Sequence, residues 1–400
     1  MPLMACFLFV KLERYQHRCR SNRIDVLQIP LLNVISMVTR LKAAKQRDNS
    51  EMDSRTALRG SREKSSSRSG AAAIHKKQTP VARTERNCSV ARTLVIVSDA
   101  WSFLIIREAF FGTQNFDAFH SALRVPRATL TDRLNKLTEL RIFRKTSIGG
   151  ARRNEYHLTK MGFDLYPCFI ALMQFGDRWL AGRKPPPLTL VHTLCNCESH
   201  PIVACSHCGA RIEARDVEYR DGPGAGRTVS SPRRNTRRSS DGNQFLLGRP
   251  SSVSRALTII GDKWSFMVAR EAFFGKRRYD EIQTELGIAP NILTDRLSRL
   301  VAAGVFRRRL YQRSPDRYEY ILTGMGHDLY GPFIAMIRWG DQWLSKGKPP
   351  LLLKHLACGH DFDAVVACNC CARPIVASDM RYKLSYNPKK LGALGPRQIE

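Results

Sequence analysis

The stretch NILTDRLSRLVAA, residues 291–303, combines a helical leucine pattern with an outward polar face, and it decides the fold. Leu293, Leu297 and Leu300 fall at i, i+4 and i+7, which predicts an amphipathic helix with one buried stripe. Gly304 follows the last turn and is typical of a helix end. The segment therefore predicts a helix that is apolar on one side and able to form hydrogen bonds on the other.

The segments around this helix predict a helix-turn-helix followed by a β-hairpin. Shorter helices are expected over residues 253–260, 264–274 and 279–286. Gly287 stands between two helices, where a tight turn requires a residue that tolerates a positive φ. The segments VFRRRLYQ (305–312) and YEYILT (318–323) have the composition of strands and are separated by turn residues. A basic hairpin directly after a helix-turn-helix is a winged helix, and a long helix over 325–344 is expected to complete it.

The same pattern occurs earlier in the chain. ATLTDRLNKLTEL (128–140) repeats the leucine spacing, and WSFLIIREAFFG (101–112) matches WSFMVAREAFFG (264–275). The period far exceeds the roughly 20–50 residues of solenoid repeats. The chain is therefore expected to hold two winged-helix domains, mainly α with small β-hairpin wings (α+β), each followed by a small Cys-rich, ribbon-like tail. In the first copy Arg141 replaces the helix-ending glycine, so we expect a changed entry angle for that wing.

Composition shifts divide the chain into seven predicted segments. They are a disordered basic extension (1–86), the first winged-helix domain (87–184), the first Cys-rich tail (185–220), a flexible basic linker (221–250), the second winged-helix domain (251–348), the second Cys-rich tail (349–385) and a C-terminal tail (386–400).

The charge balance indicates a polyanionic partner. The formal net charge is +30 and the pI about 10.2, which favours double-stranded DNA. The alternative is a protein whose basic tails supply only general solubility. No apolar run reaches the length of about 18 residues that a membrane span requires, so we expect no membrane partner. A bacterial cytoplasmic, nucleoid-associated location is expected.

The outward faces of the two repeated helices and the wings supply the candidate DNA-binding residues. They are Thr129, Thr131, Asp132, Arg133, Lys136, Arg144, Arg152 and Arg153 in the first copy, and Asn291, Thr294, Asp295, Arg296, Arg299, Arg307, Arg313 and Arg317 in the second. Asn can pair with adenine and Arg with guanine or phosphate, whereas wing arginines typically follow phosphates or the minor groove. The two aspartates can equally orient the neighbouring arginines or play a structural role, and the wings can be solvated hairpins.

Two cysteine-rich segments follow the two domains in matching positions. The pattern C-x-[CH]-x7-C-x2-C indicates one structural zinc ion per repeat, because four soft ligands in two close pairs suit tetrahedral zinc. The candidate ligands are Cys195, Cys197, Cys205 and Cys208, then Cys358, His360, Cys368 and Cys371. His192 and His355 are alternates, and free thiols or a disulfide remain open.

Motifs for catalysis are missing from the sequence. It contains no HExxH, no Ser/His/Asp order and no carboxylate pair at a useful spacing, so we expect no enzyme. Two interpretations remain: a sequence-specific DNA-binding regulator, or a scaffold that binds nucleic acid non-specifically or binds proteins. The second predicts binding that collapses with salt and shows no site preference.

Three motifs resemble the HxlR-type family of bacterial winged-helix transcription regulators, relatives of the MarR group. They are RALTIIGDKWSFMVAREAFFG (255–275), LTDRL with the following AGVFRR, and YEYILTGMGHDLY (318–330). The resemblance implies dimers formed through the first and last helices. Here it implies either an intramolecular pseudo-dimer of the two copies, or a homodimer of tandem chains with four reading helices. The effector ligand stays unknown.

Cys88 resembles the cysteine that often precedes the first helix in this family, where it senses oxidants or electrophiles in some members. The second copy carries Ser251 at that position, so any redox sensing would be one-sided. An inert, buried thiol is the alternative, since sensing requires a lowered thiol pKa.

Overall fold

The computed structural model describes residues 84–147, 154–182, 185–229, 246 and 249–387, all within one compact unit. The helices of the first copy are α1 (Ser89–Val97), α2 (Ala100–Phe110), α3 (Phe116–Leu123), α4 (Arg127–Glu139), α5 (Lys160–Phe163) and α6 (Tyr166–Leu180). Those of the second copy are α7 (Ser252–Ile260), α8 (Lys263–Phe273), α9 (Tyr279–Leu286), α10 (Pro290–Ala302), α11 (Gly324–Asp328) and α12 (Tyr330–Leu344).

The strands form the two wings, the tails and one small pairing near the N-terminal edge. They are β1 (Thr84–Arg86), β2 (Phe143–Ser147), β3 (Asn154–Leu158), β4 (Leu188–His192), β5 (Cys197–Ser199), β6 (Ile202–Cys205), β7 (Val217–Asp221), β8 (Arg227–Val229), β9 (Phe306–Gln312), β10 (Arg317–Leu322), β11 (Leu351–His355), β12 (His360–Asp361), β13 (Ala364–Ala367) and β14 (Met380–Leu384). β2 with β3, and β9 with β10, are the antiparallel wings.

The repeated helices pack as the leucine spacing predicts. Leu293, Leu297 and Leu300 of α10 are buried, as are the matching leucines of α4. Burial of one such stripe leaves the opposite face of each helix in solvent, directly before its wing. The α+β expectation of two winged helix-turn-helix domains is confirmed in its arrangement of helices and strands.

The turn before each wing contains a residue with a left-handed φ in both copies. Gly304 has a φ of +81°, and Arg141 adopts a left-handed φ of +59° in its place. The hydroxyls of Thr323 and Thr159 donate to the carbonyls of Gly304 and Arg141, at 2.5 and 2.6 Å. The arginine therefore takes the left-handed conformation that glycine has in the second copy, and the change in wing entry angle stays a prediction.

The closing helix is broken into two parts in each copy, which corrects the expectation of one long helix. In the second copy α11 ends at Asp328 and α12 begins at Tyr330. Pro332 lies in the first turn of α12 and has no amide hydrogen to donate to the carbonyl of Asp328, so the hydrogen-bond ladder is interrupted. Pro167 is the second residue of α6, one position nearer the helix start than Pro332 is in α12, and it likewise lacks an amide hydrogen.

The two copies pack against each other through their first and last helices. α6 packs on α7, α12 packs on α1, and α6 also contacts α12. Glycines allow the close approach: a Cβ on Gly176 would lie 2.1 Å from the carbonyl oxygen of Ser252, and one on Gly340 would lie 2.6 Å from that of Ser89. The two copies therefore contact each other within one chain, through the helices expected for an intramolecular pseudo-dimer.

The Cys-rich tails exchange strands, so they are not separate ribbons. β4 pairs with both β5 and β14, and β11 pairs with both β12 and β7. β6 pairs with β13. Each of these three sheets contains strands from both tails, which corrects the expectation of one independent tail per domain.

Some residues assigned to disordered segments are ordered. Thr84–Arg86 pairs with Arg227–Val229, and Arg249 is buried. These positions belong to the predicted basic extension and flexible linker. The rest of the extension, most of the linker and residues 388–400 lie outside the described residues.

Among the helices described, none is individually long and apolar enough to cross a membrane. Taken together, α1 and α2 have the length and apolar composition of a membrane span, but the two helices meet at a bend of 80°.

Candidate nucleic-acid interface and metal-binding clusters

The exposed face of α10 carries several of its candidate contacts. Asn291, Thr294 and Arg299 are exposed. The Thr294 hydroxyl donates to the carbonyl of Pro290 at 2.9 Å and lies 3.3 Å from the Tyr279 hydroxyl. The Asn291 side chain lies at the N-terminal end of the helix, where base edges are met in the helix-turn-helix geometry.

Arg296 differs from these residues because it is tied into the domain. Its side chain is only 13% exposed, and its Nε donates to Asp262 Oδ1 at 2.8 Å. Asp262 is also the N-cap of α8, accepting from the amides of Trp264 and Ser265. Burial opposes ionisation of the guanidinium, but Asp262 and Asp295 outweigh it and raise the pKa of Arg296. Arg296 thus fastens α10 to the start of α8.

Arg133 has the equivalent position in the first copy. Its Nε lies 2.8 Å from Asp99 Oδ2, an ion-pair distance, although the angle is not that of a hydrogen bond. Asp99 accepts from the Ser102 amide as the N-cap of α2. Asp132 also contacts Arg133. The contact between Asp132 and Arg133 therefore supports the interpretation that this aspartate orients its neighbouring arginine.

The remaining candidates of the two repeated helices vary in exposure. Asp295 contacts Arg296 and lies 3.0 Å from Nε of Arg299, one helical turn away. Thr131 is exposed, and its hydroxyl donates to the carbonyl of Arg127 at 3.0 Å. Asp132 is exposed as well, whereas Thr129 and Lys136 are partly buried.

The wings present their arginines to solvent. The exposed basic residues among the candidates are Arg144, Arg307, Arg313 and Arg317. Arg152 and Arg153 lie outside the described residues. Sequence reasoning missed Arg309, whose Nε donates to Glu319 across the hairpin at 3.1 Å, and Arg278, which lies over the Tyr311 ring at 4.6 Å. A tyrosine within the basic strand β9 was the available signal for the second contact.

Two groups of four ligand side chains lie in the tails, and both could hold a metal ion. The first contains His192, Cys195, Cys368 and Cys371. The second contains Cys205, Cys208, His355 and Cys358. Within each group the ligand atoms all lie within 4.8 Å of one another.

These groups differ from the two sets read from sequence spacing. Cys197 and His360 lie outside both, and the alternates His192 and His355 are inside. His360 instead stacks on His207 at 3.6 Å, in a separate group that includes Cys358. A ligand set confined to each tail therefore does not describe the structure. The physical reason is the strand exchange, which brings the Cys-x2-Cys turn of one tail to the His-x2-Cys turn of the other.

The thiols in these groups are not joined as disulfides. Every cysteine in the described ranges is free, and Cys195 Sγ lies 3.8 Å from Cys368 Sγ. Burial opposes ionisation of Cys368, but hydrogen bonds from the Ser199 hydroxyl and the amides of Cys371 and Cys370 lower the pKa of its thiol to about 6. Burial raises the pKa of the Cys195 thiol, in the same group, to about 12, so these surroundings favour the thiolate at Cys368 and not at Cys195.

Cys88 lies at the start of α1, partly buried, in a small cavity with Arg270 and Phe274. It is the N-cap residue of the helix but forms no side-chain cap hydrogen bond. Ser251, its counterpart, accepts from the Ser254 amide at 3.3 Å. The structure places the candidate redox residue against the buried guanidinium of the other copy.

Comparison with known proteins finds matches for both copies. The model of the family described as HxlR-like helix-turn-helix matches residues 96–184 and 259–348. An uncharacterized HTH-type transcriptional regulator of Mycobacterium tuberculosis is 42% identical over 137 residues, which are 34% of this chain and 87% of the relative. One from Synechocystis is 34% identical, over 26% of this chain and 76% of the relative.

Solved structures also match. A candidate transcription factor from Pseudomonas aeruginosa has 33% sequence identity and a TM-score of 0.21, over 30% of this chain and 74% of that one.

Proposed function

Because this chain belongs to the HxlR-like helix-turn-helix family, we propose that it is a sequence-specific DNA-binding repressor that reads two half-sites with α4 and α10. The observation that carries the proposal is that α4 and α10 each expose a polar face and are each followed by a basic wing. The two copies that contain them pack together as one pseudo-dimer. Two half-sites then follow from two reading helices in one chain.

The base contacts are assigned to the exposed polar residues on the outer faces of α4 and α10. Asn291, Thr294 and Arg299 serve the second copy, and Thr131 with Asp132 serves the first, next to the partly buried Thr129 and Lys136. An Asn amide can pair with adenine through two hydrogen bonds, and an Arg can pair with guanine.

Arg133 and Arg296 receive a positioning role. Their ion pairs with Asp99 and Asp262 use the guanidinium groups that would otherwise reach DNA. Asp132 and Asp295 assist them, and Asp295 also holds Arg299. Such contacts fix the angle of each reading helix on its domain.

The wings serve as phosphate or minor-groove contacts. Arg144, Arg307, Arg313 and Arg317 are exposed. In the sequence, Arg152 and Arg153 fall between the two strands of the first wing, which contains Arg144. Exposed arginines on a hairpin next to a reading helix are suited to contacts with backbone phosphates. Repression would then follow from occupancy of a promoter, in the bacterial cytoplasm at the nucleoid.

The first test is a selection of DNA fragments by the full chain at near-physiological salt with competitor DNA. We expect one enriched motif with two half-sites, and a reporter that is repressed when this motif overlaps its promoter. No enrichment, with binding that falls steeply in salt, would instead support the alternative of a non-specific nucleic-acid or protein scaffold. Activation of the reporter would support sequence-specific DNA binding but would refute the proposed role as a repressor.

We also propose that structural zinc occupies the tails, one ion per repeat. The support is the pair of Cys/His groups, each with three thiols and one imidazole. This combination of soft ligands is typical of closed, tetrahedral zinc sites, which stabilise a fold and leave no open position for catalysis.

A further inference from the structure

The ligands of the two metal groups are divided between the repeats in a regular way. His192 and Cys195 of the first tail meet the Cys368–Cys371 turn of the second. In the other group, His355 and Cys358 of the second tail meet the Cys205–Cys208 turn of the first. Each group thus takes a His-x2-Cys pair from one repeat and a Cys-x2-Cys pair from the other.

The distances within the groups match a tetrahedral ion. With Zn–S of about 2.3 Å and Zn–N of about 2.0 Å, two thiolates of a tetrahedron lie about 3.8 Å apart, and a thiolate and an imidazole nitrogen about 3.5 Å. Cys195 Sγ and Cys368 Sγ are 3.8 Å apart. His192 Nδ1 lies 3.3 Å from Sγ of both Cys195 and Cys371.

The second group repeats this geometry. His355 Nδ1 lies 3.3 Å from Cys208 Sγ and 3.4 Å from Cys358 Sγ. Both histidines are buried, so their rings are fixed at the end of a strand that pairs with the other tail. Two groups built from equivalent residues with the same distances indicate two sites of one kind.

Hydrogen bonds to sulfur support thiolate ligands at both sites. The Ser199 hydroxyl donates to Cys368 Sγ at 3.2 Å, and the His207 amide donates to Cys205 Sγ at 3.4 Å. Such outer contacts orient metal-binding side chains and tune their basicity.

We propose that each tail zinc is a composite site of one histidine and three cysteines, with two ligands from each repeat. The ions then cross-link the two repeats and fix the pseudo-dimer that carries α4 and α10. This inference rests on the proposed structural zinc. The composite sites specify which ligands share an ion. They also imply that zinc joins the two repeats to each other, whereas self-contained sites would stabilise each repeat alone.

The deciding experiment compares metal content in full chains with paired substitutions. Cys195→Ser with Cys371→Ser removes ligands of one composite site, so one zinc should remain per chain. Cys195→Ser with Cys208→Ser removes one ligand from each site, so both should be lost. Self-contained repeats would give the opposite result, because Cys195 and Cys208 would then share an ion.

A control variant and a measurement on the unaltered chain keep the test independent of folding defects. Cys197→Ser should retain two zinc ions, since Cys197 lies outside both groups. X-ray absorption of the zinc-loaded wild-type chain should give three sulfur ligands and one nitrogen at both ions. Self-contained repeats would average three and a half sulfurs, since the first set would hold four cysteines.

The outcomes separate the two proposals. A chain that contains no zinc after purification with zinc would refute both. Two ions with the reversed substitution pattern would refute only the composite sites. Binding of the selected DNA provides the functional readout: removal of both ions by a chelator should reduce affinity for the two-half-site fragment more than affinity for a single half-site.

Discussion

At the residue scale, Cys88 and Ser251 have the same backbone conformation before α1 and α7, but the serine alone caps its helix. Their φ and ψ angles are −152° and 120°, against −155° and 127°. Cys88→Ser should therefore supply the missing acceptor and raise the free energy of unfolding by about 0.5–1 kcal/mol. Chemical denaturation measures the change.

The reciprocal substitution is the matched control for this prediction. Ser251→Cys should remove a cap and lower the free energy of unfolding by a similar amount. If Cys88→Ser destabilises the chain, the thiol has packing contacts beside Arg270 that outweigh the cap, and the prediction is wrong.

A second residue-scale prediction concerns the aspartates at the helix crossings. Burial raises the pKa of Asp341, despite hydrogen bonds from Ser89 and Ser345, and it raises the pKa of Asp177. The folded state therefore holds these protons more tightly than the unfolded chain. The contribution of each group to stability falls as pH rises from the ordinary value of 3.8 through its raised folded pKa.

Asp341→Asn removes this titration and provides the measurement. The stability of the variant relative to wild type should increase as pH rises from about 4 to 7, because only the wild type acquires the buried charge. Denaturant midpoints at a series of pH values would show it. A difference that is constant with pH would contradict the assignment.

At the element scale, α10 and its wing should contribute differently to DNA binding. Asn291→Ala should cost about 1–3 kcal/mol on the selected site, with little effect on random DNA, because a base contact carries sequence information. Arg307→Ala should weaken binding to both DNAs alike and lower the salt slope by about 1, as expected of a phosphate contact. Titrations at several salt concentrations compare the two, and equal losses for Asn291→Ala on both DNAs would exclude base reading.

These elements could be predicted because their signals are local. The leucine spacing, Gly287 and the basic hairpin all lie within a few helical turns of one another. The roles of Arg296 and His192 could not be predicted in the same way. Arg296 depends on Asp262, which lies 34 positions earlier, and His192 depends on a strand pairing of β4 with β14. Spacing within one tail carries no signal for a ligand supplied by the other.

At the scale of the whole molecule, the glycines at the two helix crossings determine how closely the repeats pack. Gly340→Ala would place a Cβ against the carbonyl of Ser89, so we expect a loss of about 1–3 kcal/mol from overpacking. Gly331→Ala, in the same helix, is the control, since its Cβ would meet a side-chain methyl group of Val203 at 3.1 Å and no backbone carbonyl. Denaturation curves give both values.

The prediction has a second readout in the assembly state. Opening of the intramolecular crossing would allow two chains to exchange repeats, which gives the dimer with four reading helices. Light scattering should then detect dimers of Gly340→Ala but not of Gly331→Ala. Equal stability and mass for the two variants would show that the crossing tolerates a methyl group.

The exchanged tail strands also set the order in which this protein can be completed during synthesis. His192, at the end of β4, pairs with Met380, so that edge of the sheet stays open until the ribosome has added the whole second domain. At about 5–20 residues per second this interval lasts roughly ten to forty seconds. During it the nascent first half exposes an unpaired strand edge, which is a site for aggregation and for chaperone binding. A ribosome that stops before β14 therefore releases a chain whose first half is incomplete, although all of that half has been made.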